Sequence, residues 1–174
     1  MSTNNEVNIF IVEDNNVFRM ALQADIESTF TEMNISIHLF ETGEACMAKF
    51  KEIKPQVVIL DFNLNSKFPN AADGIKVLDW IKRENRETNV IMLTSEDNIE
   101  IALKSFHHGA SDYVVKSETK FRKINYSLLN LFKMITAKGD AKKYKSMAVV
   151  LSLFITLMVG GMIAIQFLEP TLLK

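Results

Sequence analysis

The sequence contains a single cysteine, Cys46. One thiol cannot form an internal disulfide, so a cross-linked secreted scaffold is excluded and a reducing compartment is the simplest home. The opening residues, MSTNNEVNIF, lack a basic region followed by an apolar run, and no secretory signal is expected there. Neither GxxxxGK[ST] nor GxGxxG occurs, which leaves nucleotide binding without support. His38, His107 and His108 are not spaced as metal ligands, and the last two are helical neighbours that face different ways. A net charge of −1 gives no reason to expect a nucleic-acid partner. One absence is local: residues 147–168, MAVVLSLFITLMVGGMIAIQFL, carry no charge.

What is present is unevenly distributed. Residues 1–136 hold 15 Lys and Arg against 19 Asp and Glu. The short block 137–146 holds Lys138, Lys142, Lys143 and Lys145 against Asp140. A basic segment thus separates an acidic domain from an apolar tail.

Along residues 1–136, short apolar runs alternate with helical spacing. The runs are 7–12 (VNIFIV), 35–40 (ISIHLF), 57–61 (VVILD), 90–94 (VIMLT) and 113–116 (YVVK). Helical patterns follow each of them. Thr42 reads as the N-cap of a helix from about Glu44 to Ile53. Glu96 to His108 reads as a helix closed by Gly109. Glu118 to about Ile135 reads as an amphipathic helix with Phe121, Ile124, Leu128, Leu131, Phe132 and Ile135 on one stripe. Strands that are apolar throughout are covered on both faces, which implies a parallel sheet between helix layers. The expected fold is therefore an α/β, flavodoxin-like, doubly wound sheet of five parallel strands in the order 2-1-3-4-5.

The tail is read as a transmembrane helix over 147–168. As a helix it is about 33 Å long, against a hydrocarbon core of roughly 30 Å. One central Lys or Asp would cost roughly 2.5–3.5 kcal/mol, so the lack of charge is informative. The alternative is a buried helix of a soluble fold. Four lysines precede the span and only Lys174 follows it, so the positive-inside rule places residues 1–146 in the cytoplasm. The expected organisation is a domain at 1–136, a basic juxtamembrane linker at 137–146, the span, and a short extracytoplasmic tail at 169–174, single-pass in a membrane. Ala148, Ser152, Thr156, Gly160 and Ala164 recur at every fourth residue. Such a stripe lets helices approach closely, here a second copy or a partner membrane protein. Coincidence in a segment rich in small residues is the alternative.

Acids end two of the runs: Glu13 and Asp14 follow the first, and Asp61 closes the third. In a parallel sheet these ends share one edge, where ligands bind. Clustered carboxylates repel by roughly 1 kcal/mol per pair in water and about 4 at an effective dielectric of 20, which a divalent cation such as Mg²⁺ relieves. Thr94 ends the fourth run with a hydroxyl and Lys116 ends the fifth with a cation. A metal pocket, a hydroxyl and a lysine around one carboxylate suit phosphoryl transfer, with Asp61 as nucleophile.

These residues carry a resemblance to the response-regulator receiver family over about 7–135. The matching pieces are IVEDN at 11–15, VVILDFN at 57–63, DG at 73–74, VIMLTS at 90–95 and GASDYVVK at 109–116. The resemblance implies that Asp61 accepts phosphate from a histidine kinase or histidine phosphotransfer protein. It implies Mg²⁺ held by Asp14, Asp61 and the carbonyl of Asn63, with Glu13 helping through water. It implies that Lys116 binds a phosphoryl oxygen, and that Thr94 and Tyr113 move together as a switch. Two features depart from the family. Ser117 stands where Pro is usual, so the Lys116–Ser117 bond is either trans or a strained cis bond. The stretch NLNSKFPNAADG after Asp61 is longer than usual and is expected to alter partner choice or phosphate lifetime. Two other readings stay open: an aspartate-nucleophile phosphohydrolase, which usually has a second acid where Asn63 stands, and a membrane scaffold whose domain is never phosphorylated.

Overall fold

The computed structural model describes residues 6–64, 71–95 and 97–172; the side chains of residues 138, 140, 142, 143 and 162–172 lie outside that description. Two compact units result, Met1–Leu129 and Asn130–Lys174. The elements are β1 Val7–Val12, α1 Asn16–Thr29, β2 Ile35–Phe40, α2 Gly43–Ile53, β3 Val57–Asp61, α3 Gly74–Glu84, β4 Asn89–Thr94, α4 Ile99–His107, β5 Asp112–Val115 and α5 Lys120–Leu172.

In the first unit the five strands form one parallel sheet in the order β2-β1-β3-β4-β5, as the alternation of runs implies. All five residues of β3 are buried, as are the last four of β1 and the last five of β4. These central strands are covered by helices on both faces. The edge strand β2 is half-buried throughout, and β5 is mostly so. Phe10, Phe50, Leu60, Leu78, Ile81 and Met92 are central to the core.

The exits of β1, β2, β3 and β4 into their helices are each set by a side-chain cap that satisfies an otherwise orphaned amide. Asn15 accepts from Phe18, Thr42 from Ala45, Asp73 from Lys76 and Asn98 from Glu100. Thr42 caps as its sequence position predicts. The cap at Asn98 places the start of α4 at Ile99, three residues later than the Glu96 expected from spacing; Glu96 itself lies outside the described residues. Gly109 follows α4 with φ +94°, the left-handed conformation that ends helices at glycine. The fifth strand is displaced by one residue from expectation, to Asp112–Val115, because Asp112 pairs in register with Ile91. Lys116 therefore follows the strand, and its amide still donates to the Thr94 carbonyl at 2.7 Å.

In the second unit α5 continues, and residues 137–146, expected as a linker, are helical. Tyr144–Gly161 has a mean hydropathy of 1.6 and no part of it is buried, unlike a core helix of a soluble fold. The hydroxyls of Ser152 and Thr156 donate to the helix's own carbonyls at Val149 and Ser152. Ala164, the last position of the small-residue stripe, lies outside the described side chains.

Candidate functional site

The sheet order places the C-terminal ends of β1, β3, β4 and β5 along one edge. Register aligns Val12 with Leu60, Asp61 with Leu93 and Thr94 with Val115. From this edge rise Glu13, Asp14 and Asp61, all buried, each with an oxygen within 4.8 Å of the others'. Lys116 reaches the same point. Its Nζ lies 2.7 Å from Glu13 Oε2 and 2.9 Å from Asp61 Oδ1, and its side chain is 14% exposed. Thr94 is fully buried at the end of β4. The five residues that sequence reasoning placed at strand ends are thus brought to one edge. No cis peptide bond occurs among the described residues, so Lys116 meets the acids with Ser117 joined to it in trans.

The electrostatics are those of a crowded acidic pocket. Burial, and then the neighbouring Asp61, push the Glu13 carboxyl from 4.5 up to about 7, with Lys116 pulling in the opposite direction. Burial alone would lower the Lys116 ammonium, but Asp61 and Glu13 outweigh it and hold its pKa above the usual lysine value. Glu13 Oε2 and Asp61 Oδ1 are enclosed, and both have the Lys116 ammonium as partner. One ammonium faces them as an ion pair. Three carboxylates, oxygen donors throughout, meet here, and Lys116 Nζ pairs with two of them. That set fits Mg²⁺, a hard cation that takes carboxylate and carbonyl ligands and keeps several waters.

The segment after Asp61 is held from two sides. Phe62 N–H donates to the Leu93 carbonyl at 2.8 Å, and Gly74 N–H donates to the Phe62 carbonyl at 3.0 Å. Gly74 packs so closely that a Cβ there would lie 2.3 Å from the Asp61 carbonyl oxygen. This is the physical reason for a glycine in the DG pair. Asn63 lies on this pinned segment. Residues 65–70 of the long stretch lie outside the described residues, so its expected effect is not addressed. The Tyr113 hydroxyl reaches toward the Asn98 carbonyl at 3.5 Å, and the side chain is half-buried.

Sequence reasoning missed two groups beside the acids. Arg19, 6% exposed, donates from one guanidinium nitrogen to the Glu13 carbonyl at 2.6 Å and from the other to Glu41 and Asn16, each at 2.9 Å. It ties the loop bearing Glu13 and Asp14 to the end of β2. The signal was a charge three residues before Leu22, on the stripe that buries Leu22 and Ile26. The second group is Phe18, whose ring centroid lies 5.0 Å from Lys116 Nζ.

The response regulator receiver domain family matches residues 9–125. Regulatory protein AtoC of Escherichia coli (strain K12) is 31% identical over 109 residues, 62% of this chain and 22% of that protein. Transcriptional regulatory protein ResD of Bacillus subtilis (strain 168) is 31% identical over 116 residues, 67% of this chain and 44% of that protein. The chain therefore spans less than half the length of these relatives. The signal receiver domain of a LuxO repressor protein from Vibrio parahaemolyticus superposes with a TM-score of 0.65 at 23% identity, over 76% of this chain and 95% of that one, a likeness of fold.

Proposed function

The chain belongs to the response regulator receiver family, and from that premise we propose that Asp61 is its phosphoacceptor, phosphorylated by a histidine kinase or a histidine phosphotransfer protein. The observation that carries the reading is the convergence of Lys116 on Asp61 and Glu13 at 2.9 and 2.7 Å. An Asp61 oxygen attacks the phosphorus of a phosphohistidine, the phosphorus–nitrogen bond breaks, and the imidazole leaves with the bonding pair. Lys116, freed from one carboxylate, binds a phosphoryl oxygen and offsets the added charge. Glu13, Asp14, Asp61 and the Asn63 carbonyl hold Mg²⁺, which when bound neutralises charge on the transferring group. Thr94 and Tyr113 then form the two-state switch. The protein is a signalling acceptor whose only turnover is slow loss of its own phosphate.

The apolar part of α5 anchors the protein to a bacterial inner membrane, in a single pass with the receiver on the cytoplasmic side. The fully exposed window Tyr144–Gly161 supports this, because that much uncovered apolar surface is unfavourable in water. The basic block before it sits at anionic headgroups, each lysine contributing about 1 kcal/mol. The stripe from Ala148 through Ser152, Thr156 and Gly160 to Ala164 packs against a second copy or a partner membrane protein.

The test uses the full chain in membranes. Incubation with acetyl phosphate and Mg²⁺ should add one phosphoryl group, mapped to Asp61 by mass spectrometry and absent from Asp61→Asn. Absence of label overturns the phosphoacceptor reading, and rapid multiple turnover favours the phosphohydrolase. Ending the chain at Ser146 should move it from the membrane to the soluble fraction; retention in the membrane overturns the anchor.

A further inference from the structure

Lys116 has two kinds of neighbour. On one side stand the carboxylates of Glu13 and Asp61, and on another stands the ring of Phe18, with its centroid 5.0 Å from Nζ. That distance is within the reach of a cation–ring attraction, which strengthens as water is excluded, and the Lys116 side chain is only 14% exposed. Phe18 is itself fixed. Its amide donates to the Asn15 cap at 3.0 Å in the first turn of α1, and its ring stacks on Phe121 with centroids 5.7 Å apart and planes 25° from parallel. Phe121 lies in the first turn of α5, just beyond the turn in which Lys120 N–H donates to the Ser117 carbonyl. The aromatic pair therefore links the two loops flanking the site, the one after β1 and the one after β5. Ser117 has no ring with which to brace the lysine.

A ring face suits this task better than a carboxylate or a carbonyl. It attracts the ammonium without claiming one of its three protons. All three stay available for the acids and, later, for a phosphoryl oxygen. We propose that Phe18 is a positioning residue for phosphoryl transfer, its ring braced by Phe121 to hold the Lys116 ammonium over Asp61. The inference rests on Asp61 being the phosphoacceptor. Phe18 acts through Lys116.

The experiment measures the rate of Asp61 labelling by acetyl phosphate at saturating Mg²⁺ in the full chain, Phe18→Leu and Phe18→Tyr. Leucine keeps an apolar side chain and loses the ring; tyrosine keeps the ring. Phe18→Leu should slow labelling by about tenfold, while Phe18→Tyr stays within about twofold of the parent. Mg²⁺ affinity by titration calorimetry should be unchanged in both, which a general loosening of the site would not give. Equal rates for Phe18→Leu and the parent overturn the proposal, as does an equal loss in Phe18→Tyr. If the parent takes no label, the phosphoacceptor reading has failed and this one falls with it; a labelled parent with an unaffected Phe18→Leu removes this one alone. Should Phe18→Leu not fold, Phe121→Leu decides: it removes only the stacking partner, and a loss of about threefold supports the proposal while an unchanged rate overturns it.

Discussion

Lys116 holds its ammonium 2.9 Å from Asp61 although the peptide bond to Ser117 is trans. Placement of the lysine therefore comes from what surrounds it: the hydrogen bond its N–H donates to the Thr94 carbonyl behind, two acids in front and an aromatic face at the side.

Removing that ammonium should be costly. Lys116→Met leaves Glu13 and Asp61 buried with their repulsion uncompensated, and a broken buried pair costs about 3–5 kcal/mol. The double variant Lys116→Met/Asp61→Asn should recover much of the loss, because it removes the opposing charge as well. Urea unfolding of the parent, both single variants and the double variant, without divalent cations, checks this through the coupling between the two sites.

Magnesium should stabilise the folded state. At a hundred times its dissociation constant a ligand adds about 2.7 kcal/mol. The urea midpoint should rise on adding Mg²⁺ and fall back with chelator. Asp14→Asn and Asp61→Asn should each shrink the rise. An equal rise in the parent and both variants would place the ion elsewhere.

Gly74→Ala should disturb the site through the backbone. Its Cβ would meet the Asp61 carbonyl oxygen at 2.3 Å and Phe62 Cα at 2.7 Å, both main-chain atoms that cannot rotate aside. Overpacking of this kind costs about 1–3 kcal/mol, and labelling of Asp61 should slow with it. Gly139→Ala, where a Cβ would meet nothing within 4 Å, is the control; relieving a helix-interior glycine there should be neutral or stabilising by up to about 1 kcal/mol. Denaturation midpoints and labelling rates of the two variants make the comparison.

Cys46 should be inert while the chain is folded. It is fully buried, and burial pushes its thiol from 9.0 up to about 12. A thiol-specific reagent should modify it only in denaturant. Because the folded-state value is the higher one, the unfolded chain ionises first as pH rises. This contribution to stability is complete below about pH 9 and is lost between about 9 and 12. Cys46→Ala should flatten that part of the stability profile, as measured by urea melts across the alkaline range.

The sheet was legible because its central strands are apolar without interruption: a run such as VVILD ending in an acid states both the strand and the residue at its tip. The edge strand β5 was less well bounded, since Asp112 enters it by pairing with Ile91, a contact 21 residues away that no local pattern records. The acids, Thr94 and Lys116 were legible by their order along the chain. Phe18 and Arg19 were not, because their roles depend on Lys116 and Glu41, which approach only after folding.

The pocket's charges are assembled in the order of synthesis. Glu13, Asp14 and Asp61 leave the ribosome well before Lys116, whose amide is joined to β4 only when β5 docks. A nascent or truncated chain lacking that final strand carries three acids at one sheet edge without their resident ammonium. Such a fragment is self-repelling at that edge.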